Sequence, residues 1–245
     1  MFNSDLPTVS FCEGVYNGGQ LEILNVISSL FFVVVGVWHL YNIGNDYELV
    51  PICLETVLVG IGSVLFHSIP KRIFQMTDEL PMILLIISSI KLMHHHMYLY
   101  RRYNRNLYYF LYFCVDVMLC CVVIFNVFSM YFLVFEVMYI VMILVYVCMV
   151  LWGNWEMRRD VMKVVGIGVF AFLFWLIDQH LCNWFLGKFS LHFFWHLGMS
   201  LVVYNFVVFY RVIKLQHNNK RVNVKHWGPF YRFETNGYIE FEDEL

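Results

Sequence analysis

An all-α membrane protein, built as a seven-helix transmembrane bundle, is the fold class the sequence predicts, and three observations predict it. The 245 residues are 60% hydrophobic and only 14% charged, which leaves too little polar surface to clothe a water-soluble domain. Apolar runs of roughly 20 residues, the length that crosses a bilayer as a helix, recur seven times. The connections between them are too short to fold on their own.

The runs fall at about 22–42, 48–68, 78–98, 107–126, 130–151, 161–183 and 191–214. They divide the chain into an N-terminal segment, 1–21, a transmembrane bundle, 22–214, and a polar tail, 215–245. The opening "MFNSDLPTVS" has neither a basic n-region nor an apolar core, so no cleavable signal peptide is expected and the first span itself directs insertion. Three Lys and Arg side chains (Lys71, Arg72, Lys188) fall on the N-terminal side of the bundle, against twelve on the other. The side richer in Lys and Arg is cytosolic, so the N terminus is expected in a lumen or outside the cell and the tail in the cytosol. A net charge of -2 gives no footprint for nucleic acid, and no obligatory protein partner is indicated. The basic loops lie where anionic lipid of the cytosolic leaflet attracts them. The closing "EFEDEL" is read as a solvated acidic end, because a cytosolic tail is out of reach of a lumenal retrieval receptor.

Taken in order, the spans carry their polar residues at telling depths. The first opens on Glu22 and Asn25. The second ends "GIGSVLFHSIP", which places Ser63 and His67 one helical turn apart near the lumenal surface. The third begins "TDELPMILL", with Asp78 and Glu79 at that surface; Asp78 is placed to cap the helix, with Pro81 just inside. Its far end carries "MHHHM", whose three histidines point about 100° apart around the helix and so cannot share an ion. Lys91, Asp116 and Glu136 fall inside spans three, four and five, and Lys91 is expected to pair with Asp116. The sixth span ends near Asp178, and the seventh opens on "HFFWH" with His192 and His196 in its first turns.

Segments far apart in sequence therefore send polar side chains to one depth, and an ionisable group in a span is costly enough to be a candidate for function. His192 and His196 stand four apart on one helix face, about 6 Å along the axis, and His67 supplies a third nitrogen. Three protein ligands and an open position are what a catalytic zinc requires; such an ion lowers the pKa of bound water to roughly 7. The alternative is three histidines that are each singly hydrogen-bonded within the bundle. "HFFWH" lacks the glutamate of soluble zinc proteases, so Asp78 is the candidate base. Ser63 is the candidate donor to a developing oxyanion, or else a small residue that lets helices approach. Asp178 and Asn25 are expected to orient ligand histidines from behind. Of seven cysteines, Cys12 and Cys182 reach the oxidising side, where a disulfide persists, the alternative being two free thiols; the other five are read as packing residues.

"FCEG", "GIGSVLFH", "DELPMI", "FWLIDQHLC" and "HFFWH" occur in this order and spacing, and over about residues 10 to 205 the chain resembles the alkaline ceramidases, seven-span amidases of the superfamily that includes the adiponectin receptors. The resemblance implies zinc on His67, His192 and His196. It implies Ser63 and Asp78 assisting hydrolysis of the ceramide amide to a sphingoid base and a fatty acid, a Cys12–Cys182 disulfide, and a home in the endoplasmic reticulum or Golgi. It also implies a calcium site around the "CE" motif, for which Glu13, Glu22, the Phe11 carbonyl and Asn17 are the residues at hand. Ser10 stands where the family has aspartate and Val15 where it has asparagine. The donors therefore fall short of the six to eight oxygens calcium takes, and zinc is the expected metal. Competing readings are a receptor-like or lipid-remodelling relative with the same metal site, and a non-catalytic seven-span protein with structural zinc. A transporter is disfavoured because no inverted repeat is visible.

Overall fold

The structure, a computed structural model, describes residues 6–19, 21–101, 158–182, 190–218, 220–227 and 229–238, with isolated helical positions between 109 and 148. A short helix α1, Cys12–Tyr16, precedes α2, Ile23–Tyr41; a 3₁₀ turn at Tyr47–Leu49 runs directly into α3, Val50–Ser68. Next come α4, Arg72–Arg101, α5, Arg158–His180, and α6, His192–His217, followed by strands β1, Lys220–Trp227, and β2, Phe230–Tyr238. Pro51 in the first turn of α3 sits where its missing N–H costs nothing.

Among the described residues five helices are long and apolar enough to cross a membrane: Ile23–Tyr41, Tyr47–Ser68, Arg72–His96, Arg159–His180 and His192–Gln216. Val34, Leu58, Ile61 and Phe170 are exposed on their outer faces, an apolar exterior that suits lipid rather than water. The expected spans at 107–126 and 130–151 lie outside the described residues, apart from isolated helical positions such as Asp116 and Glu136. Lys91 does pair with Asp116, and its ammonium lies 4.8 Å from the Tyr112 ring centroid.

The helices pack in the order α4, α3, α2, α6, α5. Two close approaches set this arrangement. A Cβ on Gly60 would come within 2.9 Å of the Val33 nitrogen of α2 and 3.0 Å of the Ser29 carbonyl, so only glycine allows the two backbones to meet here. On the other side of α3, a Cβ on Gly62 would lie 1.9 Å from the Thr77 carbonyl oxygen of α4. Thr77 is four residues before Pro81, which lies inside α4 and has no N–H to bond that carbonyl. The proline frees the carbonyl and the glycine makes room for it.

One expectation is corrected by the fold. Asp78 is not the cap of its helix: α4 begins at Arg72, because the mixed stretch "RIFQM", in which Ile73, Phe74 and Met76 alternate with polar residues, continues the helix a turn and a half before the expected start. The polar tail carries regular structure as well. Residues 220–227 and 230–238 form an antiparallel hairpin in which Val224 pairs with Phe233 and His226 with Tyr231. Tyr231 is buried against Phe209 of α6, ring centroids 4.8 Å apart, and the Asn205 side chain accepts from the Tyr231 amide and donates to the Pro229 carbonyl. The signal was the alternation in "RVNVKHW" beside the Gly-Pro turn. "EFEDEL" lies outside the described residues.

Candidate metal centre

The last turn of α3 and the first two turns of α6 end at the same level, and this alone brings His67, His192 and His196 together. Each offers one nitrogen lying within 4.8 Å of the others', and all three side chains are at most 3% exposed. The centroid of the His67 ring is 5.1 Å from those of both His192 and His196, and the latter two are 4.4 Å apart. Among the described residues no other group of three metal-ligating side chains gathers in this way. "MHHHM" does not: His94 and His96 are buried, His95 is exposed, and each stands about 100° around α4 from its neighbour.

His67 Nε2 and His192 Nδ1 are buried without a hydrogen-bond partner among the described residues. Unsatisfied buried nitrogens are costly and therefore rare, so a cation at the centre of the three rings explains both. Imidazole nitrogens fit zinc among other divalent transition ions.

The outer nitrogens are held from behind. His67 Nδ1 lies 2.5 Å from Glu22 Oε2, which also accepts from Asn25 Nδ2 at 2.8 Å. His196 Nδ1 lies 2.7 Å from the Ser28 hydroxyl and 3.4 Å from that of Ser29. Both hydroxyls bond the Asn25 carbonyl, and the Asn25 side chain accepts from Ser190 Oγ at 2.5 Å. Asn25, fully buried, thus joins α2 to the start of α6. The carboxylate and hydroxyls behind the rings fix which nitrogen faces the metal.

Ser63 and Asp78 line one cavity with His192 and His196, together with Glu79, Phe11 and Trp195. The Ser63 hydroxyl lies 3.3 Å from His196 Nε2 and 2.9 Å from Ser29 Oγ, and is in side-chain contact with the Asp78 carboxyl. The close approach of Gly62 to the Thr77 carbonyl is what brings these two side chains face to face.

Asp178 does not touch a ligand ring. Its buried carboxylate accepts from the Cys12 amide at 3.0 Å and the Leu191 amide at 2.7 Å, with the His192 backbone also bonded to it, so it positions α6 by its main chain. Cys12 and Cys182 form a disulfide, which with Asp178 pins the N-terminal segment over the site. There Phe11 stacks on His192, centroids 3.8 Å apart. Gln75 anchors the preceding stretch by bonds to the Thr8 amide and hydroxyl.

The remaining expected residues hold α1 against α2. Glu13 uses both carboxylate oxygens on the Leu24 and Asn25 amides, at 2.9 and 3.1 Å. The Phe11 carbonyl accepts from Val15 and the Asn17 side chain donates to the Leu21 carbonyl. With Glu22 bonded to His67, this donor set does not fit a calcium ion needing six to eight oxygens. Sequence reasoning missed Ser28, Ser29 and the contact of Glu22 with His67. The spacing of Ser28 and Ser29 three and four residues after Asn25, one buried stripe on an otherwise apolar helix, was the available signal.

Helices apolar and long enough to cross a membrane, enclosing three converging imidazoles beside a serine and a carboxyl, define a helical protein of membrane type whose buried histidines could hold a metal ion. The chain belongs to the ceramidase family: the family model described as Ceramidase matches residues 5–233. A search of curated proteins finds no match to it.

Proposed function

We propose that the chain is an intramembrane zinc-dependent amide hydrolase that cleaves ceramide to a sphingoid base and a free fatty acid, in a seven-span bundle with a lumenal N terminus, in the endoplasmic reticulum or Golgi membrane. The observation that carries the proposal is a cluster of three buried histidines, two of which, His192 and His196, line one cavity with Ser63 and Asp78, since a purely structural ion needs neither of the last two. Family membership supports a hydrolase and a lipid amide as substrate.

His67, His192 and His196 would hold the zinc, which when bound acidifies water and polarises the amide carbonyl. Asp78 takes a proton from the attacking water as the C–O bond forms and the carbonyl carbon becomes tetrahedral, then passes it to the nitrogen, whose C–N bond breaks as the carbonyl re-forms. Ser63 donates to the amide oxygen as negative charge builds there. Phe11 over His192 and Phe66 beneath the cavity exclude bulk water, which strengthens each of these contacts.

The test is fatty acid release from ceramide by membranes carrying the wild type or His196→Ala, with metal analysis of both purified proteins. Release and zinc are expected in the wild type alone. Equal release from both sinks the reading.

A further inference from the structure

Beyond the metal cavity lies a second, larger chamber, and the two meet end to end. Along α4 the lining passes from Met82 to Leu85, along α5 from Trp175 to Phe172, and along α6 from His196 to Met199. Among the described residues Trp195 alone lines both. The chamber then follows α6 as far as Ile213. Trp195 and Ile213 are eighteen residues apart, about 27 Å of helix at 1.5 Å per residue, close to the roughly 30 Å thickness of a bilayer's hydrocarbon core. Its lining is apolar apart from Ser89 and the Tyr210 hydroxyl.

The far end of this chamber is backed by the hairpin. Phe209, Tyr210 and Ile213 of α6 and Val161 of α5 form its end wall. Behind Phe209 stands the buried ring of Tyr231, whose hydroxyl lies 3.3 Å from Asp160 beside Val161. Val222 and Val224 of β1 pack on the same core.

We propose that the C-terminal hairpin, through Tyr231, sets the depth of the chamber and so the acyl-chain length of the substrate, an inference that rests on the amide-hydrolase reading. The chemistry selects the acyl chain over the sphingoid chain. The acyl chain leaves the carbonyl carbon wholly apolar and matches the chamber, whereas the sphingoid base bears hydroxyls beside the amide nitrogen and matches the polar wall of Gln75, Asp78 and Glu79. Tyr231 is a positioning residue, acting through Phe209.

The experiment uses the full chain in lipid nanodiscs and ceramides that share one sphingoid base and differ in acyl length. Tyr231→Ala is expected to raise the kcat/KM ratio of very long to long acyl chains about tenfold, as a pocket discriminates methylenes. Ile213→Trp is expected to lower it by about the same factor, and Tyr231→Phe, which keeps the ring, to leave it at the wild-type value. A ratio does not depend on how much protein folds. Unchanged ratios in Tyr231→Ala and Ile213→Trp overturn the proposal, and so does a shift that tracks sphingoid length instead. Absence of release from every ceramide is the separate failure of the hydrolase reading. A terminal diazirine on an N-acyl amide then decides the depth question by cross-linking: labels between Phe209 and Ile213 uphold it, and labels anywhere else overturn it.

Discussion

Glu22 and His67, forty-five residues apart, meet in the interior at 2.5 Å, carboxylate oxygen to imidazole Nδ1. The bond directs His67 Nε2 toward His192 and His196, and it makes the first residue before α2 a partner of the last turn of α3.

Removing that carboxylate while keeping its shape weakens the hold on the metal. Glu22→Gln is expected to lower zinc affinity about 10- to 100-fold, measured by chelator competition on purified protein. His67→Ala, which deletes the ligand itself, loses more. Equal affinities in wild type and Glu22→Gln would show that the carboxylate does not tune the site.

The Ser28 hydroxyl does for His196 what Glu22 does for His67. Ser28→Ala is expected to weaken zinc binding by about tenfold, the lower end of the same range, and to cost about 1–3 kcal/mol of stability by leaving the buried His196 Nδ1 without its nearest partner. Asn25→Ala strands the Ser190 hydroxyl and one bond of Glu22, and is expected to cost about 1–3 kcal/mol, read as a lower unfolding midpoint in detergent.

Chemistry and metal binding separate at Asp78 and Ser63. Asp78→Asn is expected to reduce fatty acid release about 10²- to 10⁴-fold, the usual worth of a general base, and Ser63→Ala about 10²- to 10³-fold. Zinc content, measured by atomic emission on the same samples, stays at the wild-type level in both. A parallel loss of zinc would assign the two residues to metal binding.

The disulfide closes a separation of 170 residues, so its loss frees the N-terminal segment from the site. Cys12→Ser, Cys182→Ser and the double variant are expected to be destabilised alike, by about 2–4 kcal/mol. A thermal-shift series with and without reductant checks this, and reductant moves the wild type alone.

Gly62→Ala places a methyl where the Thr77 carbonyl stands. Helices α3 and α4 are expected to separate at a cost of about 1–3 kcal/mol. Release falls with zinc retained, because Ser63 and Asp78 lie on opposite sides of that contact. Gly166→Ala, where a Cβ meets nothing, serves as the control.

Hydropathy reads a chain one segment at a time, and it succeeded where the evidence is local. The bounds of α2, α3 and α6, the depth shared by the three histidines, and two cysteines at one end of the bundle all follow from run length and counting. It placed the start of α4 too late, since the turn from Arg72 to Thr77 is helical although Arg72, Gln75 and Thr77 interrupt its apolar run. It also missed the hairpin, whose alternating pattern in Val222 and Val224 has meaning only against the face of α6.

By itself the sequence determined which residue types stand at the metal depth and that apolar helices carry them there, because both are set by the periodicity and length of single segments. Tertiary structure alone decided that Glu22 faces His67 rather than a second ion, that Ser28 faces His196, and that Pro81 and Gly62 press Asp78 toward Ser63. Those contacts depend on how each helix is rotated about its axis, and that rotation is fixed only when the helices pack against one another.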